Sequence, residues 1–191
     1  LGAGGIGVWR GKVTQLGPSR ISASIVNGRG QASVRVVSAG FAGKGGPATL
    51  DATYSIAAGS RITRVDATIT GAVPDMIAGL IRHPGVELVS GRTDHWAFAG
   101  TWGNQSLAKD DLGMVLFYRH DRAEVQVGDT DISIHFCNPK ALHYAFAAAW
   151  SQEAGGLRTR QAFEAWAMQV IAQFERTDHE VKPAMTCSMD H

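Results

Sequence analysis

Seven histidines in a chain of 191 residues are the side chains best suited to moving protons, because imidazole titrates near neutrality. Two of them head the same pattern. In His95-Trp96-Ala97-Phe98-Ala99, His95 alternates with Ala97 and Ala99. In His143-Tyr144-Ala145-Phe146-Ala147-Ala148-Ala149-Trp150, His143 alternates with Ala145, Ala147 and Ala149. Read as strands, each segment has a bulky face (Trp96 and Phe98; Tyr144, Phe146 and Trp150) and a face of small residues led by a histidine. Either the small residues floor a groove with room for a ligand, or a second layer packs closely on them. The groove reading makes His95 and His143 a pair of acid/base groups on one shared groove. His83 is a third candidate. It stands beside Arg82 and before Pro84-Gly85, a turn that either carries function or only reverses the chain. The phenols of Tyr118 and Tyr144 suit a proton relay, and Arg82 or Arg92 suits a carboxylate. Trp102, followed by Gly103, either stacks on a sugar ring or plugs a sheet edge.

Other chemistries find less support. His120 reads as a strand-end or turn residue, and His179 and His191 lie in a polar tail. Asp129, Asp131 and His135 are spaced too sparsely for a zinc site, so neither a metal nor a cofactor is expected. No G-x-S-x-G elbow starts a serine triad. Gly2, Gly4 and Gly7 spell G-x-G-x-x-G, but a dinucleotide site needs a strand before the glycines and a helix after them. Only Leu1 precedes them, and Val8 to Val13 has no helical period. These glycines are expected in a strand or loop that bends tightly and approaches other backbone closely.

The totals narrow the classes. A net charge of +1 with 18% charged residues gives no basis for holding nucleic acid by bulk charge. No apolar run is long enough for a membrane-spanning helix. Cys137 and Cys187 lack C-x-x-C spacing and form one disulfide or none. The chain opens on Leu1 inside a patterned segment, which is expected of a processed product or a piece of a longer protein.

The elements that must position these side chains are mainly strands. Ile21, Ala23 and Ile25 alternate with serines; Leu50, Ala52, Tyr54 and Ile56 alternate with Asp51, Thr53 and Ser55; Ile132, Ile134 and Phe136 alternate with Asp131, Ser133 and His135. Each pattern predicts one buried face and one wet face. In Arg61 to Thr70 the phase slips between Ile62 and Val65, which predicts a bulge near Thr63-Arg64. Frequent turn signals predict antiparallel sheets packed face to face. One segment differs. Phe163, Trp166, Ala167, Val170, Ile171 and Phe174 follow the helical period, which predicts a single amphipathic helix over about residues 159–175 with Thr159 as its N-cap. The fold class expected is all-β: an antiparallel β-sandwich with one C-terminal helix. It spans residues 1–176, and 177–191 form a polar tail.

Three stretches together carry a family resemblance: Leu1 to Trp9, Asp110 to Phe117, and His143 to Trp150 followed by the helix. They resemble a family of secreted bacterial proteins, formally a domain of unknown function, found in polysaccharide-degradation gene clusters. The pattern is similar to the β-supersandwich proteins, which include galactose mutarotase-like domains and sandwich domains of polysaccharide lyases. The resemblance implies an oligosaccharide dehydratase acting on ulvan fragments. It also implies a periplasmic or secreted location, and a chain that is the C-terminal half of a member, partnered by the missing N-terminal half.

The expected function is therefore elimination on an acidic or deoxy-sugar oligosaccharide, by a lyase or a dehydratase. Catalytic candidates are His83, His95, His143, Tyr118 and Tyr144; substrate-binding candidates are Arg82, Arg92 and Trp102. The alternatives are a non-catalytic carbohydrate-binding or structural sandwich and a mutarotase-like epimerase, and fold analogy does not choose among them.

Overall fold

A computed structural model describes residues 1–178. The strands are β1 (Gly5–Trp9), β2 (Val13–Thr14), β3 (Arg20–Asn27), β4 (Gln31–Ala42), β5 (Pro47–Ala57), β6 (Ile62–Gly71), β7 (Met76–Ile81), β8 (Glu87–Arg92), β9 (Trp96–Asn104), β10 (Asp111–Arg119), β11 (Ala123–Val127), β12 (Asp131–Phe136) and β13 (Ala141–Trp150). One helix follows, α1 (Arg160–Asp178). Every pairing is antiparallel. A five-stranded sheet has the order β11-β12-β7-β1-β2. An eight-stranded sheet has the order β3-β4-β5-β6-β13-β10-β9-β8. The expected β-sandwich with one C-terminal helix is what the chain forms. The polar tail, with His179, Cys187 and His191, lies outside the described residues; the helix itself runs past residue 176 to Asp178.

Across β13, β10 and β9 the large sheet is covered on both faces, and there the molecule is three layers deep. Its inner face meets the small sheet through Leu50, Val65, Ile69, Leu116 and Leu142, against Met76, Leu80, Ile132 and Ile134. Its outer face is covered by α1, whose Phe163, Ala167, Val170, Ile171 and Phe174 pack on Val89, Phe98, Val115 and Phe117. Thr159 caps the helix: its Oγ1 accepts from Ala162 N at 3.1 Å, and its carbonyl accepts from Phe163 N at 3.0 Å.

Two-sided burial corrects the expected bulge. β6 pairs with both neighbours in unbroken register. Its Val65, Ala67 and Ile69 face the small sheet, and Ile62 faces the helix. The apolar phase changes because the strand serves two cores. The register shift falls in β4 instead, between Ala39 and Phe41, where Gly40 takes φ of 85°; a positive φ suits glycine.

β3 corrects the expectation of a buried face. All eight of its residues are exposed, Ile21 and Ile25 by more than 65%. The large sheet is wider than the small one, so its β3 edge carries an alternating pattern with nothing described above it.

The opening glycines enter β1, an interior strand of the small sheet between β7 and β2. Its residues from Gly5 to Val8 pair with β7, and Val8 and Trp9 pair with β2. Those backbone groups are committed to the sheet and no helix follows, so the segment is not a phosphate cradle. The glycines permit close approach, as expected: a Cβ on Gly4 would lie 2.1 Å from the Phe146 ring.

Candidate functional site

The candidate site is built on one row across the outer face of the large sheet. Asp66 pairs with His143 in register. Tyr144 pairs with Tyr118, which sets His143 beside Arg119, and Arg119 pairs with Trp96. Side chains directly opposite one another point to the same face. Asp66, His143, Arg119 and Trp96 therefore stand side by side on four neighbouring strands. The C-terminal end of α1 and the β10–β11 turn close the row into a cleft of about 330 Å³, whose wall also includes Arg64, Arg122 and Asp178. That volume lies within the range of small-ligand sites.

His143 is held by Asp66. Its Nδ1 lies 2.8 Å from Asp66 Oδ1, so with the proton on Nδ1 the imidazole donates to the carboxylate and keeps Nε2 free to accept a proton. The hydrogen bond with His143 holds the Asp66 carboxyl below its ordinary value; burial opposes this, and the charges of His143 and Arg64 add to it. Arg64 also lies over the Phe174 ring, 4.2 Å from its centroid.

The arginines of the cleft differ in how far they are neutralised. Arg119 donates twice to Asp121, at 2.9 and 2.7 Å, and lies 3.7 Å from Asp178. It is already paired. Arg122 shares the charge of Asp121 with it, and its Nε is buried with no acceptor among the described residues. A buried guanidinium donor without a partner costs free energy until an anion supplies one.

His95 takes a different role. Its Nδ1 donates to Glu175 Oε1 at 2.5 Å, and Glu175 Oε2 accepts from Thr93 Oγ1 at 2.7 Å and from His95 N at 3.1 Å. Trp96 Nε1 donates to Asp178 Oδ2 at 2.9 Å. These contacts tie the last turn of the helix to the β8–β9 turn, and His95 does not line the cleft. The expected shared groove thus has one histidine on its wall.

The alanines explain the misplacement. Ala145, Ala147 and Ala149 are buried under the helix. Ala97 and Ala99 are buried on the opposite face, against the small sheet. Both sets receive another layer, with Ala145 alone also lining the cleft beside His143, and the two matching patterns face opposite ways.

Several other candidates are located away from the cleft. Tyr118 and Tyr144 are in the core between the sheets, although Tyr144, next to His143, also borders the cleft. Burial raises the Tyr118 phenol to about 12 and lifts that of Tyr144 well above its usual value. Tyr144 donates to Gly4 O at 2.6 Å. Trp102 is 4% exposed and stacks on Phe163 with centroids 5.4 Å apart, so it is a helix seat and not a sugar platform. His83 and Arg82 lie in the turn leading to Glu87, which pairs with Trp102, about 20 Å along β9 from Trp96 at the strand rise. Arg82 Nη1 donates to Gly128 O at 2.9 Å and pins the β11–β12 turn. Arg92 ends the edge strand β8, off the cleft wall. His135 rests edge-on against Trp9 and lies 3.0 Å from Ser133 Oγ; among the described residues no group of three or more metal-ligating side chains converges.

Sequence reading missed Arg64, Asp66, Arg119 and Arg122. A signal was present for the first two: Arg64 and Asp66 alternate with Val65 and Ala67, placing two charges on one face of a strand.

Glu175 offers a test of the helix tie. Burial pushes its carboxyl up, but hydrogen bonds from His95, Thr93 and the His95 and Trp96 backbone outweigh burial and bring it down to about 2. A depressed carboxylate stabilises the fold above its unfolded value, near 4.5, and that contribution is lost as pH falls through about 2. Glu175→Gln should remove this acid-sensitive step from a pH titration of unfolding. It should also cost about 1–3 kcal/mol at neutral pH. An unchanged acid limb would show that Glu175 does not tie the helix.

The fold and cleft define a helix-covered β-sandwich with a carboxylate–histidine pair in an arginine-lined cleft. The chain belongs to the family described as a domain of unknown function (DUF4861), whose family model matches residues 1–177. No curated protein matches the chain.

Proposed function

We propose that this chain performs elimination on an acidic oligosaccharide, as a lyase or a dehydratase. The observation that carries the reading is the Asp66–His143 pair on the wall of a cleft that Arg64, Arg119 and Arg122 also line, Arg122 with a buried Nε that has no acceptor among the described residues. A uronate carboxylate in the cleft pairs with the Arg122 guanidinium. With that carboxylate on Arg122, His143 Nε2 takes the proton from the carbon beside it. The electron pair passes toward the carboxylate, where the guanidinium stabilises the developing charge. A carbon–carbon double bond then forms as the β-oxygen leaves, and the imidazolium returns its proton to that oxygen. The leaving group is water in a dehydratase and a sugar hydroxyl in a lyase. Asp66 orients the ring and stabilises its charged form. No tyrosine is needed, which fits the burial of Tyr118 and Tyr144.

The resemblance to a family linked with ulvan-fragment dehydratases favours loss of water. A second reading is a carbohydrate-binding sandwich without turnover. The exposure of His143 and Asp66, 58% and 65% of their side chains, favours it, since an open site excludes water poorly.

Mass spectrometry and ultraviolet absorbance on uronate-containing oligosaccharides separate the readings. Loss of one water with a new conjugated double bond is expected for the dehydratase, and chain cleavage for the lyase. Binding with unchanged mass would overturn elimination; inversion at a sugar carbon would make the protein an epimerase. Arg122→Ala should weaken the reaction by roughly tenfold to a hundredfold, the worth of a hydrogen bond to a charged group. A neutral-sugar analogue should be indifferent to that change.

A further inference from the structure

Beside the cleft the outer face has a second depression, which the chemistry of His143 does not use. It lies between α1 and the β5–β6 turn and is lined by Ser60, Arg61, Ile62, Trp166, Gln169 and Gln173. Trp166, Gln169 and Gln173 recur at helical spacing, so they share one side of the helix. Trp166 is held from beneath by Phe117, at a centroid distance of 5.9 Å, and by Phe163, at 5.7 Å, while remaining partly exposed. Gln169 and Gln173 are exposed. Arg61 is fixed by Glu153 at 2.6 Å and by Gly155 O at 3.0 Å, so its charge is compensated. A rigid aromatic surface beside two primary amides and a hydroxyl, without free charge, has the chemistry to hold a neutral sugar ring. The ring's C–H face packs on indole, and its hydroxyls exchange hydrogen bonds with the amides.

The two depressions lie along the same strand. Ile62, Arg64 and Asp66 are successive outward residues of β6. Ile62 lines the second depression, and Asp66 lines the cleft. At the rise of a strand they stand about 13 Å apart, which is the scale of a short oligosaccharide. Arg64, laid over Phe174, forms the saddle between them.

We propose that the furrow between α1 and β6 is a neutral-sugar subsite centred on Trp166, Gln169 and Gln173, which binds the continuation of an oligosaccharide whose acidic residue occupies the His143 cleft. The inference rests on the elimination reading for its acidic end, and the subsite itself binds without chemistry.

The test is calorimetric titration with uronate-containing di-, tetra- and hexasaccharides, and with a neutral oligosaccharide of the same backbone. The tetra- and hexasaccharide should bind more tightly than the disaccharide. Trp166→Ala should weaken the longer ligands roughly three- to tenfold and leave the disaccharide unchanged. Because Trp166 also touches Phe117 and Phe163, the double variant Gln169→Ala/Gln173→Ala, which alters only exposed side chains, should show the same length-dependent loss. If no elimination occurs but neutral-oligosaccharide binding is lost in the double variant, the subsite stands and the elimination reading falls. Turnover of the disaccharide with no gain from longer chains overturns the subsite alone. No binding of any ligand in the series overturns both.

Discussion

Replacing His143 by alanine should lower turnover by roughly two to four orders of magnitude, the usual worth of a positioned acid or base. Folding should hardly change. His143 and Asp66 have more than half of their side-chain surface in water, at 58% and 65%, and such positions shift stability by only about 0.5 kcal/mol. The Michaelis constant should also change little, because the carboxylate of the substrate is held by Arg122 and not by imidazole. Asp66→Asn should have the same sign and a smaller size, since it keeps the ring in place but removes the charge that favours imidazolium. His95→Ala supplies the contrast. It cuts the tie to Glu175, so it should lower stability while turnover per folded molecule persists. If His143→Ala retains turnover within roughly threefold, imidazole is not the base. If His95→Ala and His143→Ala exchange these outcomes, the base is on the helix tie.

The largest loss of stability is expected from Phe163→Ala, about 3–5 kcal/mol. Phe163 is fully buried and packs between Trp102 at 5.4 Å and Trp166 at 5.7 Å. Its seat on the sheet is Gly113, where a Cβ would come within 2.5 Å of the ring. Removing the ring leaves a cavity that the sheet is too rigid to fill. The urea midpoint should fall with an unchanged slope, and the near-ultraviolet dichroism of the tryptophans should diminish. A cost below about 1 kcal/mol would mean that the helix is not docked through this face. The effect reaches the site, because Asp178 at the far end of the same helix lines the cleft.

Local physics wrote much of this fold into the sequence. Period-two alternation in β5, β9, β12 and β13 identified strands, because successive side chains must point to opposite faces of a pleated chain. The helical stripe from Phe163 to Phe174 and the capping hydroxyl of Thr159 identified α1, because both signals act within a turn or two of chain. The lack of a helical period after Gly7 pointed to a strand instead of a phosphate cradle, and Gly5–Trp9 forms β1. All of these depend on neighbours in sequence.

Which layer each face would meet was decided only by tertiary structure. Alternation says that Ala97 and Ala145 share a face with His95 and His143. It cannot say that one set would turn toward a second sheet and the other toward a helix. It reads Ile62 and Val65 as a slipped register, because Ile62 packs toward the helix while Val65, Ala67 and Ile69 pack toward the second sheet, and the period of one strand does not announce a second core. It reads β3 as half-buried, although a sheet wider than its partner leaves that strand in water. The cleft is the extreme case. Asp66, His143, Arg119 and Trp96 become neighbours through the pairing β6-β13-β10-β9, and hydrogen-bond register between distant segments is not encoded in the local period of any one of them.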